Sequence, residues 1–262
     1  MRNILQKIKI NPITYFLLVI CILSGLFKNI ILILSIVLVH ELGHIFFVLK
    51  LNYKVNKVEI YPFGGITEIS KDLNSPINHE LLIASGGFMF QLFLWLFFTF
   101  LVYIDLISIT TYKLFIMYNN SILLFNLLPI IPLDGYIIIK SLLEKHLSYK
   151  KAYFITIIIS VLGILLYLQY NYVFSLNNHM IVTLLVYKTF SHFKNYKYIY
   201  NRFLLERYMN IYPYRKTKHE KKISFQNFKK ETLHFFKVGN KYVHERVILA
   251  KKFDKNKHFW YN

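Results

Sequence analysis

Ile30-Ile-Leu-Ile-Leu-Ser-Ile-Val-Leu-Val-His-Glu-Leu-Gly-His-Ile-Phe-Phe-Val-Leu49 is an apolar run of twenty residues with His40, Glu41 and His44 in its interior. Twenty residues of helix, at about 1.5 Å of rise each, cross about 30 Å of hydrocarbon. A charged side chain at that depth costs at least about 2.5 kcal/mol on insertion scales, so it is rarely there without a role. The two histidines stand four apart, which on a helix puts both on one face, where they can hold one metal ion. Glu41 then points beside that ion and can take a proton from the water it activates. The bland alternative is a hydrogen-bonded polar cluster linking helices.

Further segments of the same kind lie on either side. Apolar stretches cover 13–27, 81–104, 114–131, 152–170 and 179–190, giving about six spans with 30–49. The chain has 262 residues, 55% of them apolar and 17% charged, a balance unusual for a soluble domain of this size. Its one cysteine, Cys21, excludes an internal disulfide and a cysteine-based zinc site. The basic start Met1–Ile10 shows no small-residue cleavage site after it and reads as a cytoplasmic beginning followed by a retained helix. Basic residues alternate between the loops. Arg2, Lys7 and Lys9, then Lys50, Lys54, Lys57 and Lys71, then Lys140, Lys145, Lys150 and Lys151 fall on one side with the tail, while Lys28 and Lys113 fall on the other. The positive-inside rule places both termini and the two longer loops in the cytoplasm. The fold class expected is therefore an all-α polytopic membrane protein. Its membrane-embedded domain covers 1–190, and a basic cytoplasmic tail with at most short helices covers 191–262. The net charge of +19 sits mostly in that tail. Contact with anionic lipid accounts for it at about 1 kcal/mol per basic residue near the surface. No nucleic-acid module is visible, and nucleic acid is not expected as a partner.

A hydrolytic zinc site needs a third protein ligand and an open position. Asn126-Leu-Leu-Pro-Ile-Ile-Pro-Leu-Asp-Gly135 offers Asp134. Pro129 and Pro132 break the helix there, and Gly135 permits a turn. Broken helix in an apolar stretch is tolerated only where protein or a water-filled cavity surrounds it. Taken alone, Asp134 is equally a cap for the segment that follows; beside the His-Glu-x-x-His helix, ligand is the better reading. A proline-bent path brings Asp134 to the depth of His44 and sets the site nearer the cytoplasmic side than the midplane. Between spans two and three, the β-branched and aromatic run Tyr53–Ile69 reads as a small β-hairpin turning at Gly64-Gly65. Such a hairpin has an unpaired edge to which an extended substrate could add as a strand, through Tyr61, Pro62, Phe63, Gly64, Gly65 and Ile66. The alternative, that it plugs the cytoplasmic mouth, carries equal weight.

The paired motifs His-Glu-Leu-Gly-His and Asn-Leu-Leu-Pro-x-x-Pro-Leu-Asp-Gly resemble the site-2 protease family of intramembrane zinc metalloproteases. Pro62-Phe-Gly-Gly65 and Leu82-Ile-Ala-Ser-Gly86 strengthen the likeness, which covers the whole membrane part. Glu59–Glu68 and Arg202-Phe-Leu-Leu-Glu-Arg-Tyr208 are most like its sporulation branch, which matures a sporulation sigma factor. The resemblance implies one zinc per chain on His40, His44 and Asp134, with Glu41 as general base and Asn126 as a polar residue beside the site. It implies a membrane-associated protein substrate, a pro-sigma factor, with a membrane inhibitor protein as a further candidate partner and the lipid bilayer as surroundings. A related protease releasing another membrane-tethered regulator and a non-catalytic, metal-stabilised membrane scaffold are the alternatives. The intact Glu41 weighs against the scaffold, since a structural metal needs no base. Prenyl-protein proteases share His-Glu-x-x-His but take a glutamate as third ligand. The chain departs from the family at Gly87, where a proline is usual, at the missing asparagine just after it, and at Tyr136, where a second glycine is common. Gly86 and Gly87 read as small residues for close helix packing.

Overall fold

The computed structural model describes residues 8–10, 12, 14–15, 19, 23–25, 27–61, 64–170 and 176–254. It forms two compact units, one of Met1–Lys71 with Leu81–Leu128 and one of Asp72–Glu80 with Pro129–Asn262. Among the described residues three helices are long and apolar enough to cross a membrane: Phe27–Lys50 (α1), Ile77–Tyr103 (α2) and the 149–169 part of Tyr149–Tyr170 (α5). They match the expected spans 30–49, 81–104 and 152–170. The fourth expected span is the helix Ile109–Leu127 (α3), begun by Ser108, whose side chain accepts from the Thr111 N–H. It stops four residues short of Ile131 because the chain meets Pro129. The sixth lies on Leu176–Lys194 (α6). The first, 13–27, falls largely outside the described residues.

In the first unit, α1 buries one side and turns large apolar groups outward at Ile31, Leu38, Leu42, Phe46 and Leu49. That outward row suits hydrocarbon as solvent. The helix ends in a left-handed cap. Asn52 has φ 60, its N–H donates to the Leu49 carbonyl, and the Tyr53 N–H donates to the Val48 carbonyl. Asp105 (φ 57) ends α2 in the same way, with bonds from Asp105 to Val102 and from Leu106 to Leu101. After α1 the chain forms Lys54–Tyr61 (β2) and Gly64–Ser70 (β3), an antiparallel pair with a bulge at Asn56. Ile8–Ile10 (β1) pairs with β2 in parallel, Ile8 opposite Val58 and Ile10 opposite Ile60, so the sheet runs β1-β2-β3. Two expectations change here. The hairpin edge at β2 is partly covered by β1, which leaves β1 and β3 as the outer strands among the described residues. Gly64 and Gly65, expected at the turn, sit in β3 opposite Tyr61 and Ile60. The sheet is fixed to α1 by Val55 and Ile69 packing on Ile45 and Val48, with Ile83 of α2 beside them. Each fully buried aliphatic side chain of this kind contributes about 1.5–3 kcal/mol.

In the second unit, the segment after α3 bends through Pro129-Ile130-Ile131 and enters Asp134–His146 (α4). α5 holds that bend. Ser160 Oγ donates to the Pro129 carbonyl (3.3 Å) and lies 3.3 Å from the Ile131 N–H, and Gly163 gives room for Ile130, which a Cβ there would meet at 2.8 Å. The segment after 190 is folded, against the expectation of at most short helices. Tyr196–Met209 (α7) leads to Lys216–Glu220 (β4), Thr232–Val238 (β5), Lys241–His244 (β6) and Glu245–Phe253 (α8). β4 pairs with β5 in parallel and β5 with β6 in antiparallel. Phe236, Phe228, Phe203, Leu204, Ile248 and Leu249 form one core with Tyr149 and Tyr153 of α5. Arg207 is wholly buried in this part and donates to both Glu245 carboxylate oxygens (2.9 Å each) and to the Thr232 carbonyl (2.6 Å). Lys230 bridges Glu80 (2.8 Å) and Glu144 (3.1 Å), a second buried ionic knot. The many exposed lysines around these knots disguise a packed interior as a basic tail.

Candidate metal centre

His40, Glu41 and His44 lie on the buried side of α1, with side-chain ligand atoms all within 4.8 Å of one another. The i,i+4 spacing brings the two Nε2 atoms to 3.0 Å, with the rings edge to face. The second nitrogen of each ring is engaged. His44 Nδ1 donates to the Ile83 carbonyl at 2.7 Å, and His40 Nδ1 lies 3.1 Å from Gln91 Oε1. Since a carbonyl only accepts, His44 carries its proton on Nδ1 and keeps a lone pair on Nε2. Outer-shell bonds of this kind orient histidine ligands of metals. Two histidines bound tetrahedrally to zinc at about 2.0–2.1 Å hold their nitrogens roughly 3.3 Å apart. The observed pair needs a few tenths of an ångström of ring movement to reach that. The two imidazoles at this spacing fit zinc, and the Glu41 carboxylate lies beside them.

α2 meets α1 closely at this level. A Cβ on Gly43 would stand 2.2 Å from the Gly86 carbonyl oxygen, and one on Gly86 would stand 2.5 Å from that of Gly43. Only two glycines allow the backbones so near. The packing role expected for Gly86 is thus what the structure shows. Gly87, one residue on, lies against the His40 ring.

Asp134 belongs to the second unit, at the first helical position of α4. The cap position itself is Leu133, which makes no side-chain cap bond, so Asp134 is not the N-cap. Its carboxylate sits in the first turn, where the helix dipole favours a negative charge. Tyr136 donates to or accepts from His192 Nε2 at 2.9 Å, tying the Asp-Gly turn to α6. Asn126 donates to the Ile122 carbonyl of its own helix. Of the expected substrate residues, Tyr61, Gly64, Gly65 and Ile66 lie on β2 and β3; Pro62 and Phe63 fall outside the described residues. Ile45, next to His44 in sequence, is part of the cluster that anchors this sheet.

Sequence reasoning missed Gln91. Its side chain is 0% exposed, and its Nε2 has no hydrogen-bond partner among the described residues. Leaving such a buried donor unsatisfied costs about 1–3 kcal/mol. The signal was available: it is the single amide in the apolar run 81–104. Asn119 of α3 is a second buried amide, with Oδ1 unpartnered among the described residues.

Residues 28–107 match the family described as Peptidase family M50. The chain is 31% identical over 209 residues to stage IV sporulation protein FB of Bacillus subtilis (strain 168), covering 79% of this chain and 73% of that protein. Its fold is similar to that of the site-2 protease from Methanocaldococcus jannaschii, with a TM-score of 0.53, 23% identity, 71% of this chain and 89% of the other covered. The apolar helices, the shared fold and the extent of the identity make this chain an integral-membrane member of the M50, or site-2 protease, family.

Proposed function

We propose that the chain is a zinc endopeptidase that cuts a membrane-associated protein near the cytoplasmic side of the bilayer, and that its substrate is a pro-sigma factor. The observation that carries the activity is the histidine pair, with both Nδ1 atoms engaged by α2 and both Nε2 atoms facing each other. The likeness to stage IV sporulation protein FB supports the sporulation substrate; another membrane-tethered regulator is the alternative. His40, His44 and Asp134 would hold one zinc per chain. Bound there, zinc supplies a Lewis acid that polarises a carbonyl and lowers the pKa of water to about 7. Glu41 takes the proton of the attacking water as its oxygen bonds to the scissile carbonyl carbon. It then delivers that proton to the amine nitrogen as the C–N bond breaks.

The proposal includes six spans, both termini in the cytoplasm, a membrane-embedded domain of 1–190 and a cytoplasmic domain of 191–262. The basic-residue asymmetry of the loops supports it. It also assigns Tyr61–Ile66 to hold the substrate as an added strand, with Asn126 as a polar neighbour. A peptide must be extended before its carbonyl is accessible, and β3 is an outer strand among the described residues.

Glu41→Gln tests the mechanism. The variant should retain about one zinc per chain by metal analysis and lose cleavage of a co-expressed pro-sigma substrate. Substantial cleavage by it would refute Glu41 as the base.

A further inference from the structure

α2 turns a single stripe toward the histidine pair, made of Ile83, Gly87 and Gln91, each four residues from the next. Ile83 gives its carbonyl to His44. Gly87 gives space: a Cβ there would stand 2.3 Å from Cε1, 2.5 Å from Nε2 and 2.7 Å from Nδ1 of His40, so the imidazole lies on bare backbone. Gln91 gives its amide oxygen to His40 Nδ1 at 3.1 Å.

The two histidines differ in how firmly their protons are placed. The partner of His44 can only accept, which fixes its tautomer. His40 has two choices. With a proton on Nε2 it would donate into His44 Nε2, 3.0 Å away, and that bond would occupy both nitrogens a metal needs. With the proton on Nδ1 each Nε2 carries a lone pair that a metal can take, the two atoms lying 3.0 Å apart. An acceptor at Nδ1 selects the second state, and Gln91 Oε1 is that acceptor. The amide remains there although it is wholly buried and its nitrogen lacks a partner among the described residues.

We infer that Gln91 is a positioning residue for the metal centre: it holds His40 in the Nδ1–H tautomer and so keeps the histidine pair open to zinc. Gly87 is the opening through which α2 brings that amide within reach. The inference rests on the reading of His40 and His44 as zinc ligands. It concerns metal affinity before any catalytic step.

The test uses the full chain in detergent, stripped of metal and titrated with cobalt and then zinc against a competing chelator. Wild type, Gln91→Leu and Gln91→Glu are compared, with thermal midpoints of the metal-free proteins measured alongside. Gln91→Leu should bind about 10–100-fold more weakly, the range for lost outer-shell partners. Its metal-free midpoint should hold or rise, because an unpartnered amide has been removed. Gln91→Glu supplies an acceptor at the same place and should restore affinity to at least the wild-type level. Equal affinity of wild type and Gln91→Leu would overturn the inference, as would Gln91→Glu binding no better than Gln91→Leu. A wild-type protein that takes up no metal would overturn the zinc reading itself, an outcome distinct from the other two.

Discussion

Replacing Gly43 by alanine should perturb the proposed metal centre without touching a proposed ligand. The new methyl carbon would stand 2.2 Å from the Gly86 carbonyl oxygen, 2.6 Å from its carbon and 3.0 Å from Phe90 Cβ. A carbon and a carbonyl oxygen rest comfortably at about 3.3 Å or more, so α1 and α2 must part by about 1 Å. The nearest atoms are backbone on both helices, so no side chain can rotate away to absorb the strain. Overpacking of this kind costs about 1–3 kcal/mol. The same movement would stretch the bond from His44 Nδ1 to the Ile83 carbonyl, now 2.7 Å, to roughly 3.7 Å, beyond hydrogen-bond reach. Gly43→Ala should therefore lower the thermal midpoint in detergent and weaken zinc binding at least 10-fold in a chelator competition, as loss of an outer-shell partner does. Leu42→Ala is the control, since Leu42 faces outward and is 48% exposed. It should leave metal affinity unchanged. If Gly43→Ala matched wild type in both measurements, the close approach of the two helices at Gly43 and Gly86 would be refuted.

Asp134→Ala should lose both cleavage and tight zinc binding; a variant that held zinc like wild type would move the third ligand elsewhere. Glu245→Gln removes the charge opposite the buried Arg207 and should destabilise the fold by about 3–5 kcal/mol; an unchanged thermal midpoint would refute that coupling. His234 has its pKa lowered to about 4 by burial first, then by the nearby Arg207 and Lys218, against the opposing pull of Glu245 and Glu220. Because the folded form resists protonation and the unfolded form does not, stability should be constant above about pH 6.5 and fall as pH drops towards 4. His234→Gln should flatten that fall in midpoint against pH. Reporter fusions after Asn171 and after Lys188 should read opposite sides of the membrane, and matching readings would overturn six spans.

Helix α1 was almost wholly legible in the sequence. An apolar stretch of one bilayer thickness with two histidines four apart has one sensible fold, and 30–49 differs from α1 only at its ends. The partners of those histidines were hidden because they depend on which helix packs against α1, and spacing along one helix says nothing of the next. The closing segment was misread for a different reason. β5 turns Thr232, His234 and Phe236 inward and leaves Leu233 and Phe235 half-covered, so polar residues alternate into the core and hydropathy gives no strand signal. That polarity is consumed internally: the Thr232 hydroxyl donates to the Lys230 carbonyl, and His234 Nε2 accepts from the Lys229 N–H. β1 escaped notice because three residues of strand in a basic leader need a partner, β2, to define them.

The carbonyl of Ile83 serves two masters. As part of α2 it is the normal acceptor for the N–H four residues on, that of Gly87, and it also receives the His44 proton. An oxygen with two lone pairs can do both, but each donor then competes for the same electron density. A proline at 87 would have no N–H to offer and would leave the carbonyl to the histidine alone. In this chain the exchange cannot simply be reversed. A proline ring at 87 carries a Cβ, and the His40 imidazole already fills that volume. Glycine here thus trades an undivided acceptor for one histidine against a resting place for the other, and a proline placed at 87 would have to move α2 before it could help His44.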